Sequence, residues 1–377
     1  MIPTLERVEA FVYRAPIDTP VQTSFGIMRD RPAVFVRITD SEGAQGWGEI
    51  WCNFPTVGAE HRARLVASVF APLLEASRWP SPEPAFEHLC AQTRVLAIQA
   101  AELGPIAQCI AGIDIALWDL HARRLGEPLW RLLGGESARV PVYASGLNPD
   151  EPATLAATRL AEGHTAFKLK VGFGRERDLA NLKALRQVIG TRRLMVDANQ
   201  AFDLDTAIDA AAAFESFELA WLEEPLRADR PWDEWQALRQ TTRIPLAAGE
   251  NLASITAFDS ALASRTLGVV QPDLAKWGGF TGCLPVARRI IAAGARYCPH
   301  YLGGGLGLLA SAHLLAAVGG DGLLEIDANP NPLRDLACGS LTQVNDGETL
   351  LTVEPGLGAI PDLRSLRPYA VDGFPIP

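Results

Sequence analysis

The chain has 377 residues, of which 48% are hydrophobic and 21% charged, and its formal net charge is −10. This length favours two domains, and the composition excludes a disordered chain. The negative charge disfavours a nucleic-acid surface, and we find no basic run or basic amphipathic helix that would hold an anionic membrane. We therefore expect small-molecule partners, with no nucleic acid and no membrane.

The N-terminus lacks the charged, apolar and small-residue succession of a signal peptide, and no run approaches roughly 18 apolar residues. A cytoplasmic location is expected. Six cysteines are scattered without any CxxC spacing, which indicates neither a zinc site nor a disulfide framework. We expect free thiols that pack as small apolar residues.

The first part of the chain carries three β-rich runs, RVEAFVYRA, AVFVRITD and GAQGWGEIW. Their turns are typical of an antiparallel meander. Helical periodicity follows over residues 60–75, 83–99 and 105–125, and the last stretch ends at Gly126 with Pro128 beyond it. These elements predict an α+β domain over residues 1–135.

From about residue 139 the pattern changes to a repeat of apolar run, polar tip and helix. The apolar runs are VPVYASG, TAFKLKVG, RLMVDANQ, LAWLEEP, IPLAAGEN, GVVQPDLA, RYCPHYLG and LLEIDANP. From the third run on, the polar tips recur every 23 to 27 residues. Eight such units in succession predict a closed parallel barrel over residues 136–339. The Pro- and Gly-rich residues 340–377 are expected to return to the first domain.

Chemistry in such barrels lies at the carboxyl ends of the strands. One polar strand end would be unremarkable, because strands become polar as they leave a core. Here seven consecutive strands end on charged or polar residues: Lys168 and Lys170, Asp197 and Asn199, Glu223 and Glu224, Glu250, Asp273, His300, and Glu325 with Asp327. This series predicts a site.

Strand alternation places residues i and i+2 on one face. Lys168 and Lys170 therefore face the same centre, as do Asp197 and Asn199. Both pairs can then reach one ligand.

Asp197, Glu223 and Glu250 end three successive strands. Three converging carboxylates without a cation would repel one another. Oxygen-only ligands suit Mg²⁺, or alternatively Mn²⁺, and disfavour zinc. Alternation does not decide whether Glu223 or Glu224 faces inward.

Asp273 and His300 end neighbouring strands, where a carboxylate can orient an imidazole and raise its basicity. A lysine pair that faces this dyad across a metal suits proton chemistry at a carbon next to a carboxylate. Removing that proton places a second negative charge on the carboxylate oxygens. A cation must stabilise that charge, and a protonated Glu325 could donate a hydrogen bond to it from the far side.

Eight motifs of the chain are typical of one protein family. They are IAGIDIALWDLHARRLGEPLWRLLGG (110–135), GWGE (46–49), KLK, DAN, EEP, GEN, PDLAKWGG and PHY, in order and spacing. On these the chain resembles the enolase superfamily, mandelate racemase subgroup, over nearly its whole length. The resemblance implies a (β/α)8 TIM-type barrel, an α+β capping domain formed by the N-terminal part and the C-terminal tail, and a homo-oligomer.

The resemblance also implies roles for the strand-end residues. Metal ligation falls to Asp197, Glu223 and Glu250, with Glu223 chosen because it lies two places before the proline of EEP. Lys170 would be one base, with a pKa that Lys168 lowers toward neutrality. The roles of the others are implied as follows: His300 with Asp273 as the base or acid on the other face, Glu325 as the group that holds the substrate carboxylate, Asn199 beside the metal, and Lys276 as a residue that packs or pairs locally.

In this family two loops of the capping domain set specificity. Here they would be residues 18–30 (DTPVQTSFGIMRD) and 51–58 (WCNFPTVG). The candidates for substrate contact are Phe25, Met28, Arg29, Trp51, Asn53 and Phe54.

The step that follows proton abstraction has more than one outcome. If the substrate carries a β-hydroxyl, His300 can expel it as a general acid, and the enzyme is an acid-sugar dehydratase, which we favour. Reprotonation from the opposite face would instead give a racemase or epimerase. A cycloisomerase ranks third, because the His–Asp dyad counts against it. A Schiff-base aldolase and an inactive binding protein are the remaining alternatives.

Overall fold

The capping part of the protein is an antiparallel sheet with helices packed on one face. The computed structural model describes residues 2–375. The strands, in the order β1-β2-β3, are β1 (Leu5–Thr23), β2 (Gly26–Asp40) and β3 (Gln45–Ile50). The helices are α1 (Gly58–Leu65), a π-helical turn (Val66–Phe70), α2 (Ala71–Leu74), α3 (Pro82–Gln99), α4 (Leu103–Leu125) and α5 (Leu129–Leu132). The predicted meander and helical stretches are all present.

The segment 18–30, which we predicted as a loop, is a β-hairpin. Strands β1 and β2 run on through it with Val21 opposite Met28 and Thr23 opposite Gly26, after an irregularity that begins at Pro16. The prediction was wrong because alternating β-prone side chains favour strand pairing even where the flanking sequence reads as turn. The hairpin therefore projects as an ordered arm from the cap.

Strand β3 and helix α4 touch through their backbones. A Cβ atom at Gly46 would lie 2.2 Å from the carbonyl oxygen of Ala116, and one at Gly48 would lie 2.2 Å from that of Gly112. These glycines are needed because any side chain would separate strand and helix. We call Gln45–Ile50 and Leu103–Leu125 together the β3–α4 unit.

By length and composition, α4 is the one helix within residues 2–375 that could cross a membrane. However, 72% of its most apolar window is buried inside the protein. Its apolar character is accounted for by packing in the core of the cap.

The second part of the chain forms a parallel barrel with helices outside. All eight predicted runs are strands in the described chain: β4 (Arg139–Leu147), β5 (Ala166–Lys170), β6 (Arg193–Asp197), β7 (Leu222–Glu223), β8 (Leu246–Ala248), β9 (Leu267–Val270), β10 (Arg296–Tyr297) and β11 (Leu324–Asp327). The helices are α6 (Pro152–Ala161), α7 (Arg175–Ile189), α8 (Leu204–Phe214), α9 (Trp232–Thr241), α10 (Ile255–Ser264), α11 (Gly279–Ala292), α12 (Gly305–Val318) and α13 (Pro332–Asp335). The predicted fold class is confirmed.

The hydrogen-bonded strand order is β10-β9-β8-β7-β6-β5-β4-β11. Strands β10 and β11 meet at the seam, where the Leu323 amide donates to Cys298 Sγ at 3.4 Å. Below the strand ends the interior is filled by apolar side chains, among which Tyr143 and Trp221 stack edge to face at 5.4 Å. The barrel is thus a packed core whose chemistry is confined to its mouth.

The C-terminal segment contacts both parts of the protein. Strand β12 (Glu348–Leu350) pairs antiparallel with the start of β4, and helix α14 (Leu363–Leu366) follows. The Val371 amide then donates to the Val12 carbonyl of the cap at 2.9 Å. The division into 1–135, 136–339 and 340–377 stays a prediction; Met1 and residues 376–377 lie outside the described residues.

Buried His313 of α12 makes the fold sensitive to acid. Its Nδ1 accepts from the Trp130 amide at 2.9 Å, and its Nε2 faces the Leu357 carbonyl at 3.2 Å. Burial lowers the pKa of His313 to about 4. An unfolded histidine, with a pKa near 6.5, binds a proton that the native one refuses, so stability falls as the pH drops from about 6.5 to about 4, by about 1.4 kcal/mol per unit.

We predict that His313→Gln flattens this part of the stability profile. Glutamine retains one acceptor and one donor but takes up no proton in this range. The measurement is the free energy of unfolding in urea between pH 4 and pH 8 for both proteins. Equal slopes below pH 6.5 would contradict the assignment, whereas parallel curves above pH 7.5 are expected in either case.

Candidate active site

Strand β5 places both lysines of KLK in the barrel mouth. Lys168 is fully buried, and its Nζ contacts Glu223 Oε1 and lies 2.8 Å from Glu325 Oε1. Lys170 Nζ donates to Asp197 Oδ2 at 2.6 Å and to Asn199 Oδ1 at 2.8 Å. Each lysine therefore has carboxylate partners of its own.

These partners reverse the expected effect on pKa. Burial, the largest effect, and the repulsion from Lys168 both disfavour the ammonium of Lys170. The charge and hydrogen bond of Asp197, together with the charge of Glu223, outweigh them, so the pKa of Lys170 is raised. The prediction that Lys168 brings the pKa of Lys170 toward neutrality is wrong for this structure. Lys168 does repel Lys170, but the attraction to Asp197 is the larger of these two charge effects.

Asp273 and His300 form the expected dyad. His300 Nδ1 lies 2.7 Å from Asp273 Oδ2, and its Nε2 lies 2.8 Å from Glu250 Oε2. Asp273 Oδ1 also accepts from the amide of Ala275 at 2.9 Å, which fixes the carboxylate. Burial opposes the charged imidazole, but Glu250 and Glu325 outweigh it and raise the pKa of His300 to about 10.

Both glutamates of EEP are buried, and they have different surroundings. Glu223 Oε2 accepts from Trp221 Nε1 at 2.9 Å and from Gln271 Nε2 at 2.6 Å. Glu224, with a φ of 39°, accepts from Asn251 Nδ2 at 2.7 Å. Among residues 2–375, Glu224 Oε2 has no hydrogen-bond partner.

Burial and the charges of two other predicted site residues, Glu250 and Asp197, raise the pKa of Glu224 well above its usual range. Asn251 Nδ2 also donates to Glu250 Oε1 at 3.2 Å, so Glu224 lies beside Glu250, a position that strand alternation did not resolve. A buried oxygen without a donor, next to two like charges, is a physical reason to expect a cation nearby.

The charges at the barrel mouth do not balance. The described residues contain no group of three side chains placed to hold a metal ion. Each predicted metal ligand instead contacts a basic side chain: Asp197 contacts Lys170, Glu223 contacts Lys168, and Glu250 contacts Lys276 and His300. If all were ionised, six carboxylates, counting Glu224, Asp273 and Glu325, would exceed these four basic groups by the charge of one divalent cation. The raised pKa of Glu224 reflects its burial and this excess of negative charge. The oxygen-rich donor set fits Mg²⁺.

Lys276 lies at the site itself. Its Nζ is 2.8 Å from Glu250 Oε1 and 4.7 Å from the centre of the Trp51 ring. The expected local pairing is therefore with a predicted metal ligand, which makes Lys276 part of the charge network.

Glu325 is held as a carboxylate. Its Oε2 accepts from the Tyr301 amide at 3.0 Å, and its Oε1 accepts from the Ser145 hydroxyl. Burial favours the neutral acid, but Lys168 and His300 outweigh it and lower the pKa of Glu325. This direction favours the carboxylate over the protonated donor that we predicted.

The two specificity segments occupy different environments. Phe25, at the hairpin tip, is exposed and packs on Phe54 at 5.1 Å between ring centres. Met28 is buried, whereas Arg29 is exposed. Asn53 Nδ2 donates to the Leu302 carbonyl at 2.6 Å, just beyond His300. The Trp51 indole nitrogen is buried without a partner within the described chain.

Several contributors were missed from the sequence. Trp221 and Gln271 both donate to Glu223, and Ser145 donates to Glu325. Trp221 and Gln271 each lie two positions before a predicted site residue, so the alternation rule, applied one step toward the N-terminus, would have found them. Ser145 lies two residues before the end of β4, the one strand to which we had assigned no site residue.

Comparison with known proteins agrees with this architecture. Residues 7–134 match the mandelate racemase / muconate lactonizing enzyme N-terminal domain, and residues 151–365 match the enolase C-terminal domain-like family.

Among characterised relatives, the chain is 34% identical over 290 residues to the 3,6-anhydro-α-L-galactonate cycloisomerase of Streptomyces coelicolor, covering 75% of this chain and 78% of that protein. It is 30% identical over 361 residues to the D-galactarolactone cycloisomerase of Agrobacterium fabrum, covering 91% and 92%. It is 26% identical over 334 residues to the arabinonate dehydratase of Saccharolobus solfataricus, covering 86% and 87%.

Solved structures give the same result. A mandelate racemase/muconate lactonizing enzyme from Bordetella bronchiseptica shares 55% identity with a TM-score of 0.92, covering 98% of this chain and 100% of that one. A racemase from Streptomyces coelicolor with bound magnesium shares 31% identity with a TM-score of 0.88, covering 97% and 100%. The chain belongs to the mandelate racemase/muconate lactonizing enzyme family of the enolase superfamily.

Proposed function

We propose that the protein is a Mg²⁺-dependent acid-sugar dehydratase, which removes the α-proton of a 2,3-dihydroxy acid and expels the β-hydroxyl as water. One observation carries the proposal. Two buried basic groups, Lys170 and His300, are each fixed by a carboxylate, on strands three positions apart in the cyclic barrel order. A substrate carbon between them meets a base on one side and an acid on the other.

Asp197, Glu223 and Glu250 are the residues that we propose hold the cation. Asp197 and Glu223 lie directly opposite each other in register on neighbouring strands. When bound, Mg²⁺ stabilises the second negative charge that develops on the substrate carboxylate and competes with Lys170 for Asp197. Magnesium in the solved relative from Streptomyces coelicolor supports this choice of metal; Mn²⁺ is the alternative.

Lys170 is the proposed base for the α-proton. Its ammonium donates to Asp197 and Asn199. Lys170 would lose its proton and act as a base when a cation offsets the charge of Asp197. Asn199 remains as a neutral partner that keeps Nζ directed at the substrate carbon.

His300 is the proposed general acid. Asp273 holds Nδ1, and Nε2 is the nitrogen that would donate a proton to the departing β-hydroxyl. In this structure Nε2 contacts Glu250, so the role requires that Glu250 turn away to the cation. Its raised pKa favours the protonated form that this role needs.

Lys168 and Glu325 are proposed to receive the substrate carboxylate. Lys168 supplies a buried positive charge 2.8 Å from Glu325. Glu325 can donate to that carboxylate only when it is protonated, and the approach of a second negative charge favours this protonation. Glu325 would therefore be a carboxylate in the free protein and would hold the substrate carboxylate, as the resemblance implies, once it is protonated in the complex.

Cycloisomerisation is the second candidate, and the relatives raise its rank. Two of the three relatives above are cycloisomerases of acid-sugar derivatives. The same α-proton abstraction applies, and the leaving β-oxygen is then part of a ring and stays attached to the product. A racemase or epimerase would lack a leaving group altogether and would use His300 to reprotonate the carbon.

A substrate screen separates these reactions. We expect one or more mono- or diacid sugars to give a 2-keto-3-deoxy acid with Mg²⁺, detected as a semicarbazone and by mass spectrometry as loss of water. A keto acid that keeps the full mass of a lactone or anhydro substrate would establish cycloisomerisation. A change in optical rotation without a keto product would establish racemisation.

We predict that Glu223→Gln weakens Mg²⁺ binding by more than about tenfold, because Glu223 shares its register with Asp197. Glu224→Gln is the matched control on the neighbouring residue, and we expect it to weaken binding less. Isothermal titration with Mg²⁺ alone checks both without any substrate. The opposite order would assign the ligand to Glu224, whose oxygen lacks a donor.

Removal of either proton-transfer group should abolish turnover while leaving the fold intact. Mg²⁺ binding should be no weaker, because Lys170 and His300 each contact a proposed metal ligand. For Lys170→Ala we expect no incorporation of solvent deuterium at the α-carbon. His300→Asn should retain this incorporation, because the lysine face acts alone, and should lose formation of the keto acid.

Lys276→Ala is the control for the assignment of Lys170 as the base. Lys276 is a further lysine at the barrel mouth, where it contacts Glu250. Deuterium incorporation that survives in Lys170→Ala but not in Lys276→Ala would assign the base to Lys276 and overturn the proposal.

A further inference from the structure

Two buried carboxylates of the cap bind the amino ends of two barrel helices. Glu49 of β3 accepts from the Gly304 amide at 2.5 Å and from the Gly307 amide at 2.9 Å, where α12 begins. Asp114 of α4 accepts from the Thr281 amide at 3.0 Å and from its hydroxyl at 2.6 Å, in the first turn of α11.

These two helices follow the two strands of the dyad. Four residues separate His300 from α12, and five separate Asp273 from α11. A shift of either helix start would therefore move one member of the dyad relative to the other.

The two carboxylates belong to one rigid element. Backbone contacts at Gly46, Gly48 and Gly112 hold the β3–α4 unit together, with a Cβ at Gly112 lying 2.3 Å from Ile50 Cγ1. Such close contact leaves no room for the strand and helix to slide. Glu49 and Asp114 consequently keep a fixed separation, which they impose on α12 and α11.

The chain that leaves β3 adds contacts to the same two loops. The Trp51 amide donates to the Ala275 carbonyl at 3.4 Å, and Asn53 binds Leu302. On the other side of the site, the hairpin contacts the loops after β4 and β6, where Ser24 Oγ donates to the Asn199 carbonyl at 2.8 Å. The cap therefore has separate arms for the dyad and for the lysine side.

The amino end of a helix is suited to hold such a carboxylate. Its free amides donate, and its dipole favours negative charge. Glu49 and Asp114 are 2% and 0% exposed, so a lost donor could not be replaced by bulk water. The carboxylates are thereby tied to these two helix starts.

We propose that Glu49 and Asp114 are positioning residues, through which the β3–α4 unit of the cap sets the geometry of the Asp273–His300 dyad. They do not touch the reacting atoms. This inference rests on the proposed function only for its kinetic consequences, because its structural consequence can be measured without substrate.

The test compares Glu49→Gln and Asp114→Asn with Asp119→Asn. An amide would present an N–H group to backbone donors and loosen the helix start. Asp119 is the matched control, because it is fully buried in the same unit and binds the amides of Trp47 and Leu357, not the start of a barrel helix.

The structural measurement is NMR of the protein labelled at its six histidines, with the His300 signal assigned from His300→Asn. We expect Glu49→Gln and Asp114→Asn to shift or broaden the His300 Nδ1 proton that faces Asp273. We expect Asp119→Asn to leave it in place even if the unfolding temperature falls. Thr281→Val is a milder variant in case the others fail to fold. It removes the hydroxyl that donates to Asp114 and accepts from Trp118 Nε1 at 2.9 Å, and it keeps the backbone amide on Asp114.

The kinetic measurement uses the acid sugar found in the screen. We expect kcat to fall by about tenfold to a hundredfold in both variants with KM within about threefold. Deuterium incorporation through Lys170 should stay near that of the unmodified protein. We also expect the part of the kcat–pH profile that reports His300 to shift in the two variants whose kcat falls.

The outcomes separate the two ideas. An unchanged His300 signal in both variants, or an equal change in Asp119→Asn, would overturn the positioning role whatever the reaction is. If the unmodified protein neither exchanges nor eliminates with any acid sugar, the proposed dehydratase function fails, and the NMR comparison still decides the positioning role.

Discussion

Charge balance in a space closed to water is the constraint on which the rest of the structure depends. A buried carboxylate or ammonium is tolerated only when its charge is met by a partner. At the barrel mouth the lysines, His300 and the acidic strand ends are all held by one another, so no member can be changed without altering its neighbours' pKa. The negative excess that remains is the property that a divalent cation would use. Metal affinity and proton transfer are thus two aspects of one electrostatic arrangement.

How far the sequence foretold this arrangement differs between backbone and side chains. The regular spacing of apolar runs placed all eight barrel strands, because strand period and helix length fix that repeat. The hairpin at 18–30 was misread as a loop, since turn residues at its ends concealed paired strands within it. Side-chain direction was harder: Glu224 turns toward Glu250 through a positive φ that no alternation rule describes. The pKa of Lys170 was predicted in the wrong direction because its nearest charged partner is Asp197, which lies opposite it on the neighbouring strand.

The cap contributes to the site by binding backbone groups of the loops and helix starts at the barrel mouth. Its two arms reach different halves of the barrel end, and the one that meets the dyad does so through carboxylates bound at helix starts. This arrangement explains why GWGE belongs among the motifs of the chain. The glycines bring β3 against α4, and the glutamate extends from that rigid base into the barrel. Sequence reasoning recognised the motif but could not assign a role to its glutamate, since the partners of Glu49 lie 255 and 258 positions away in the chain.

The same geometry accounts for the variety of reactions among the relatives. In the proposed mechanism, abstraction of the α-proton needs only a cation, Lys170 and the carboxylates, and these side chains lie at the barrel mouth. What leaves from the β-carbon, water or a ring oxygen, depends on the atom that the substrate presents to His300 Nε2. In this proposal the choice depends on how the far end of the substrate lies against the hairpin and Trp51, where exposed Phe25 meets Phe54. The proposed mechanism thus uses one set of bases for dehydration and cycloisomerisation and separates them by the orientation of the substrate under the cap.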